Sequence, residues 1–162
     1  GYEAGLGLDI ELTDLIFGNG FIGYYKQNYE APGAQARGGL GFGADVYWNV
    51  TRLSTLHFQT RRSVQETIQA GTFGAVTTDT ALELEHELLR NLVLVAGGHY
   101  TRRRYDGLDR QETLKQFSFG ANYLTNRHLQ LRLQLVHRQQ DANGGGASFD
   151  QNFVEQTIVL QH

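Results

Sequence analysis

The chain has 162 residues, with 20 glycines, one proline, no cysteine, no methionine and a formal net charge of −3. The lack of cysteine excludes a disulfide scaffold and a thiolate metal site. The arginines are interleaved with acids and glutamines rather than set in a stripe, so nothing marks a nucleic-acid surface. Mean hydropathy is negative, and no run of about 18 apolar residues could form a spanning helix, although a barrel needs no such run.

Strict alternation governs most of the chain. The first segment sets Tyr2, Ala4, Leu6, Leu8, Ile10 and Leu12 against Glu3, Gly5, Gly7, Asp9 and Glu11. Arg37 to Asn49 sets Leu40, Phe42, Ala44, Val46 and Trp48 against Arg37, Gly39, Gly41, Gly43, Asp45, Tyr47 and Asn49. Thr78 to Leu88 sets Leu82 and Leu84 against Asp79, Glu83, Glu85 and Glu87. Leu129 to Arg138 sets four leucines against Gln130, Arg132, Gln134 and Arg138. The pattern predicts nine strands: 1–12, 15–30, 37–49, 53–66, 74–88, 92–105, 112–125, 128–140 and 151–162. Most exceed the usual globular length of about five or six residues.

Short turns at Leu12–Leu15, Asn49–Arg52, Leu88–Asn91 and Thr125–His128 alternate with long polar loops. The loops centre on Pro32-Gly33, Gln69-Ala70-Gly71, Asp106-Gly107 and Asn143 to Gly146. Short turns on one side and long loops on the other outline an all-β, antiparallel, up-and-down transmembrane β-barrel. A soluble sandwich would need a dry core, and the polar face carries too many charges for one. A lipocalin-like barrel would place large apolar residues inside. The short turns mark the periplasmic end, which puts Gly1 and His162 on opposite sides. The expectation is one domain over 1–162, a single transmembrane β-barrel with an unusually paired first segment or, the favoured reading, the C-terminal portion of a larger barrel.

Three stretches carry a family resemblance: Val46-Tyr47-Trp48-Asn49-Val50-Thr51-Arg52-Leu53, Arg62-Ser63-Val64-Gln65-Glu66-Thr67 and His86-Glu87-Leu88-Leu89-Arg90-Asn91-Leu92. They resemble the C-terminal half of proteobacterial outer-membrane β-barrel porins of the second type, often described as exopolysaccharide-associated. The resemblance implies a Gram-negative outer-membrane location and a porin-like or export-linked role. It carries over no catalytic residue. Its expected partners are outer-membrane lipid, lipopolysaccharide and an envelope or polysaccharide-export protein. No cofactor or metal is expected, and the sequence fixes no oligomeric state.

The expected lumen lining is Arg37, Asp45, His57, Arg61, Asp79, Glu83, Glu85, Glu87, His99, Arg103, Arg132 and Arg138. Such groups either tune ion selectivity or pair with one another and stiffen the wall. Asp45, His57 and Glu83 lie at similar heights above short turns and are expected to cluster as a pH-sensitive group. Arg62, Arg102 and Arg104 fall on the outward face near the extracellular rim, as candidate ligands of lipopolysaccharide phosphates. Trp48, Tyr100 and Tyr123 are candidate interface aromatics. Gly39, Gly41 and Gly43 permit curvature or leave lumen space. Ser54, Ser63, Ser118 and Ser148 have no histidine at an evident matching height, so no catalysis is expected. The functional expectation is a passive channel for ions, small solutes or glycan. The alternative is a plugged barrel that anchors an envelope complex.

Overall fold

The computed structural model describes residues 2–27, 37–65, 74–126 and 128–160, without the side chains of Tyr2, Glu3, Ile10, Gln27, Arg37, Gln65 and Asp106. Every regular element among them is a strand. The strands are β1 (Tyr2–Thr13), β2 (Ile16–Gln27), β3 (Arg37–Thr51), β4 (Ser54–Gln65), β5 (Gly74–Leu89), β6 (Leu92–Asp106), β7 (Arg110–Asn126), β8 (Leu129–Ala142) and β9 (Phe149–Leu160). They form one antiparallel sheet in chain order, β1 to β9. Among the described residues the sheet is open, with β1 bonded only to β2 and β9 only to β8.

The short turns share one construction. Pairing shifts register just before each of them, at Glu11/Thr13, Asn49/Thr51, Glu87/Leu89 and Leu124/Asn126. The residue beyond the shift ends the strand, and in three turns its side chain caps the turn. Thr13 Oγ1 accepts from the Leu15 and Ile16 amides, each at 3.2 Å. Thr51 Oγ1 accepts from the Leu53 amide at 3.2 Å, and Asn126 Oδ1 from the His128 amide at 2.8 Å. A short polar side chain that captures its own backbone two residues on is what favours Thr and Asn in turns. The equivalent residue in the third turn is Leu89, which has no such acceptor.

One expected long loop is short. β6 runs to Asp106 and β7 begins at Arg110, which leaves a three-residue turn at 107–109. Gly107 has a φ of 95°. A glycine in that left-handed region closes such a turn without Cβ strain. The loops centred on Pro32-Gly33 and Gln69-Ala70-Gly71 lie outside the described residues.

The two faces differ as the alternation demands, and burial shows which is concave. Among the described residues the buried side chains are Ala75, Thr77, Val95, Tyr105 and Val136, and all lie on the polar face. On the other face Leu6, Leu8, Phe117, Phe119, Leu133, Leu135 and Ile158 are all more than half exposed. A water-soluble sheet curls its apolar face inward. This sheet does the reverse, as a wall between lipid and an aqueous interior requires.

The inward glycines of β3 are partly covered. The Phe21 ring of β2 lies where a Gly43 Cβ would stand, and the Tyr25 ring lies likewise over Gly39. Rings laid across facing glycines restore packing that the missing side chains would supply. The expectation of empty lumen space therefore holds better at Gly41, where the nearest atoms lie at ordinary contact distance.

Candidate functional site

The concave face contains one row that is polar on every strand but one. In register order it reads Asp9, Asn19, Asp45, Gln59, Ala81, His99, Gln116, Arg138 and Gln151. Two neighbouring pairs in the row are bonded. Gln59 Nε2 donates to Asp45 Oδ2 at 2.6 Å. Arg138 donates twice to Gln116 Oε1, at 2.9 and 2.7 Å. Its guanidinium also stacks over Phe153, 5.2 Å from the ring centroid.

The expected cluster forms in part. His57 Nε2 lies 3.0 Å from Asp45 Oδ1, and the imidazole stacks on Tyr47 with centroids 4.0 Å apart and planes 7° apart. Tyr47 stacks in turn against Phe17 at 5.6 Å. Glu83 faces His57 in the β4–β5 register but does not join. The ring leans toward β3, where it finds both a flat partner and a carboxylate. Glu83, Glu85 and Glu87 have no hydrogen-bond or ion-pair partner among the described residues.

A second imidazole–carboxylate pair was not evident in the sequence. His99 Nε2 lies 3.7 Å from Asp79 Oδ1, and Thr101 Oγ1 donates to the same oxygen at 2.6 Å. Asp79 and His99 border a recess of about 380 Å³ that Arg61, Phe21 and Asp45 also line. Arg61 lies over the Phe21 ring, 6.0 Å from its centroid. Neither aspartate's spacing from its histidine is local in sequence; cross-strand register creates both pairs.

Toward the long-loop end, charges are paired. Glu112 accepts from Arg110 Nε at 3.0 Å and from the Tyr105 hydroxyl at 3.0 Å, and Arg103 approaches it at 3.8 Å. The β8–β9 loop docks beside this cluster through Asn143 Oδ1, which accepts from the Gln111 amide at 2.5 Å. Lower on the face, Arg132 Nε donates to Asn122 Oδ1 at 2.9 Å. Arg37 has a described backbone, paired with Gln27, but its side chain lies outside the described residues.

Arg62, Arg102, Arg104, Trp48, Tyr100 and Tyr123 lie on the opposite, apolar face. Trp48 and Tyr123 are near the short-turn end, each 43% exposed, and Tyr100 is nearer the long-loop end at 40%.

One expectation is corrected. Ser54 does have a histidine at its height: His86 is its register partner, and Ser54 Oγ lies 2.9 Å from His86 Nδ1. The pair sits on the apolar face, where neighbouring side chains are Leu56, Leu84 and Leu94. Among the described residues no carboxylate contacts His86, so the third member of a hydrolytic triad is missing. Also among the described residues, no group of three His, Asp or Glu side chains is placed to hold a metal ion.

Comparison with known proteins agrees with the architecture. No curated protein and no solved structure gives a significant match. One family matches residues 1–162, under the description "Putative beta-barrel porin 2". An antiparallel up-and-down sheet with an apolar outer face and a charged concave one is the wall such a barrel needs, and the chain belongs to this porin family.

Proposed function

We propose that the chain forms wall of a bacterial outer-membrane channel that passes ions and small polar solutes, glycan included, without catalysis. The observation that carries this reading is the line of Glu83, Glu85 and Glu87. Three carboxylates on one strand face the concave side without protein partners among the described residues. Carboxylates used only to brace a wall would be paired, whereas free ones attract and count cations. The open edges of β1 and β9 cannot face lipid, because unpaired backbone groups are too costly there. In the membrane both edges are therefore paired, and the concave face becomes a lumen.

A plugged, structural barrel is the second reading. It draws on the paired cluster around Glu112 and the docked β8–β9 loop, which together narrow the long-loop end. Conductance in a planar bilayer separates the two. The refolded full-length protein is expected to give steady currents with cation preference, reduced in the E83Q/E85Q/E87Q variant. Folded, inserted protein with no current would overturn the channel and leave the structural role.

A further inference from the structure

The apolar belt of the outward face ends abruptly in a cluster of cations. On β6 the outward residues are Leu92, Leu94, Ala96, Gly98 and Tyr100, followed by Arg102 and Arg104. The stretch from Leu92 to Tyr100 rises roughly 20 Å along the membrane normal at about 3.4 Å per residue and a tilt near 40°, close to the ~25 Å apolar band of such barrels. Arg102 therefore stands where acyl chains give way to headgroups.

Arg62, Thr78 and Arg102 are successive partners in one row across β4, β5 and β6. With strands about 4.8 Å apart, the two arginines start roughly 10 Å from each other with only a threonine between. Arg104 follows two residues above Arg102, and Lys115 of β7 lies diagonally below it, opposite Tyr100. No described side chain on this face of β4 to β7 is acidic. Asp106, two residues beyond Arg104 on β6, has no described side chain; among the described side chains the acid next to the patch is Asp141 on β8, 3.9 Å from Lys115.

The guanidinium groups are available. Arg62 and Arg104 have no hydrogen-bond or ion-pair partner among the described residues, and Arg62 Nε is covered without an acceptor. Arg102 makes one bond, to Gln111 Oε1 at 2.9 Å. The corresponding collar on β8 and β9 differs. There His137 bonds Asn152 at 2.9 Å and lies 3.6 Å from Asp150. The positive patch is thus local, not a property of the whole rim.

We propose that Arg62, Arg102, Arg104 and Lys115 form a binding site for a phosphorylated lipid headgroup of the outer leaflet, of the lipopolysaccharide type. Guanidinium groups grip phosphate oxygens in pairs, which a bulk counter-ion cannot reproduce. Thr78 supplies a small polar floor, and the Tyr100 ring lies below it toward the acyl chains. The proposal rests on the sheet being a membrane wall with its long loops outside. It does not depend on whether the lumen conducts.

The test is native mass spectrometry of the full-length protein, folded in detergent and titrated with bis-phosphorylated lipid A. Parallel titrations use dephosphorylated lipid A, phosphatidylglycerol and inorganic phosphate. Heat-modifiable migration on gels checks that every variant is folded. Wild type is expected to retain bis-phosphorylated lipid A. The R62Q/R102Q/R104Q variant is expected to bind it about a hundredfold more weakly, from about a fivefold loss per arginine. R62K/R102K/R104K should recover part of the loss. Equal retention by wild type and the folded glutamine variant overturns the site. So does equal binding of dephosphorylated lipid A. Preference for phosphatidylglycerol, or displacement by millimolar phosphate, would show a general anion patch and overturn the lipid assignment. Failure to fold as a barrel would instead remove the membrane-wall reading beneath it.

Discussion

His57 is held by Asp45 and Tyr47 together: Nε2 sits 3.0 Å from the Asp45 carboxylate while the ring lies flat on Tyr47 at 4.0 Å. The stack fixes the plane and the carboxylate fixes the rotation within it. Replacing His57 with Phe keeps the stack and removes the polar bond. Replacing Asp45 with Asn keeps shape and changes the acceptor charge. Each is expected to cost about 1 kcal/mol in urea unfolding of the refolded protein. The double variant should lose less than the sum, with a coupling of at least about 0.5 kcal/mol. Additive losses would mean that the two side chains contribute independently.

The repeated turn construction makes a paired prediction. Thr51→Val removes the acceptor for the Leu53 amide and should cost about 1 kcal/mol. Leu89→Asn supplies the cap missing from the third turn and should stabilise by a similar or smaller amount. Equilibrium unfolding midpoints of both variants decide it. A neutral Thr51→Val would assign the turn to backbone geometry alone.

Gly43 and Gly41 share a face of β3 but not a neighbourhood. A side chain at Gly43 meets the Phe21 ring, whereas one at Gly41 finds ordinary contacts. Gly43→Val should destabilise by about 1–3 kcal/mol, the usual range for overpacking. Gly41→Ala should be close to neutral. Similar losses at both positions would show that strand flexibility, not the ring, requires glycine.

Gly144 has a φ of 63°, and its Cβ would press on the Asp109 carbonyl and on Arg110. Gly144→Ala should lift the β8–β9 loop from the Gln111 edge without unfolding the sheet. Limited proteolysis within 143–148 is expected to accelerate severalfold at unchanged heat-modifiable migration. Equal cleavage rates would indicate that Asn143 alone holds the loop.

Facing is legible in the sequence for the four cleanly alternating segments and for the candidate residues, because alternation with period two fixes facing once a strand is recognised; β2 carries aromatics on both faces, and its facing comes from register. Arg61 and Arg62, adjacent in sequence, are expected on opposite faces and lie there. What was not legible depends on register and rotamer. Asp79 and His99, like Ser54 and His86, meet because two hairpin arms align at particular positions. Slipping β4 against β5 by two residues would separate Ser54 from His86 and leave every side chain on its face. Glu83 follows the same rule: it lies at the height of His57 as expected, but the stack on Tyr47 turns the imidazole away from it. The short turn after β6 is not legible because Asp106-Gly107 suits a long loop as well as a tight turn, and only the left-handed backbone of Gly107 distinguishes them.

The polar row from Asp9 to Gln151 has a geometric consequence. Register rows run at right angles to strands, and barrel strands lean about 40° from the axis. In a closed wall such a row cannot be a hoop at one depth; it winds as a screw thread. A hydroxylated solute handed from Gln59 past His99 to Gln116 and Gln151 would turn as it advanced. If the proposed channel conducts, passage along that thread has a handedness, and mirror-image solutes of equal size are expected to travel it at unequal rates.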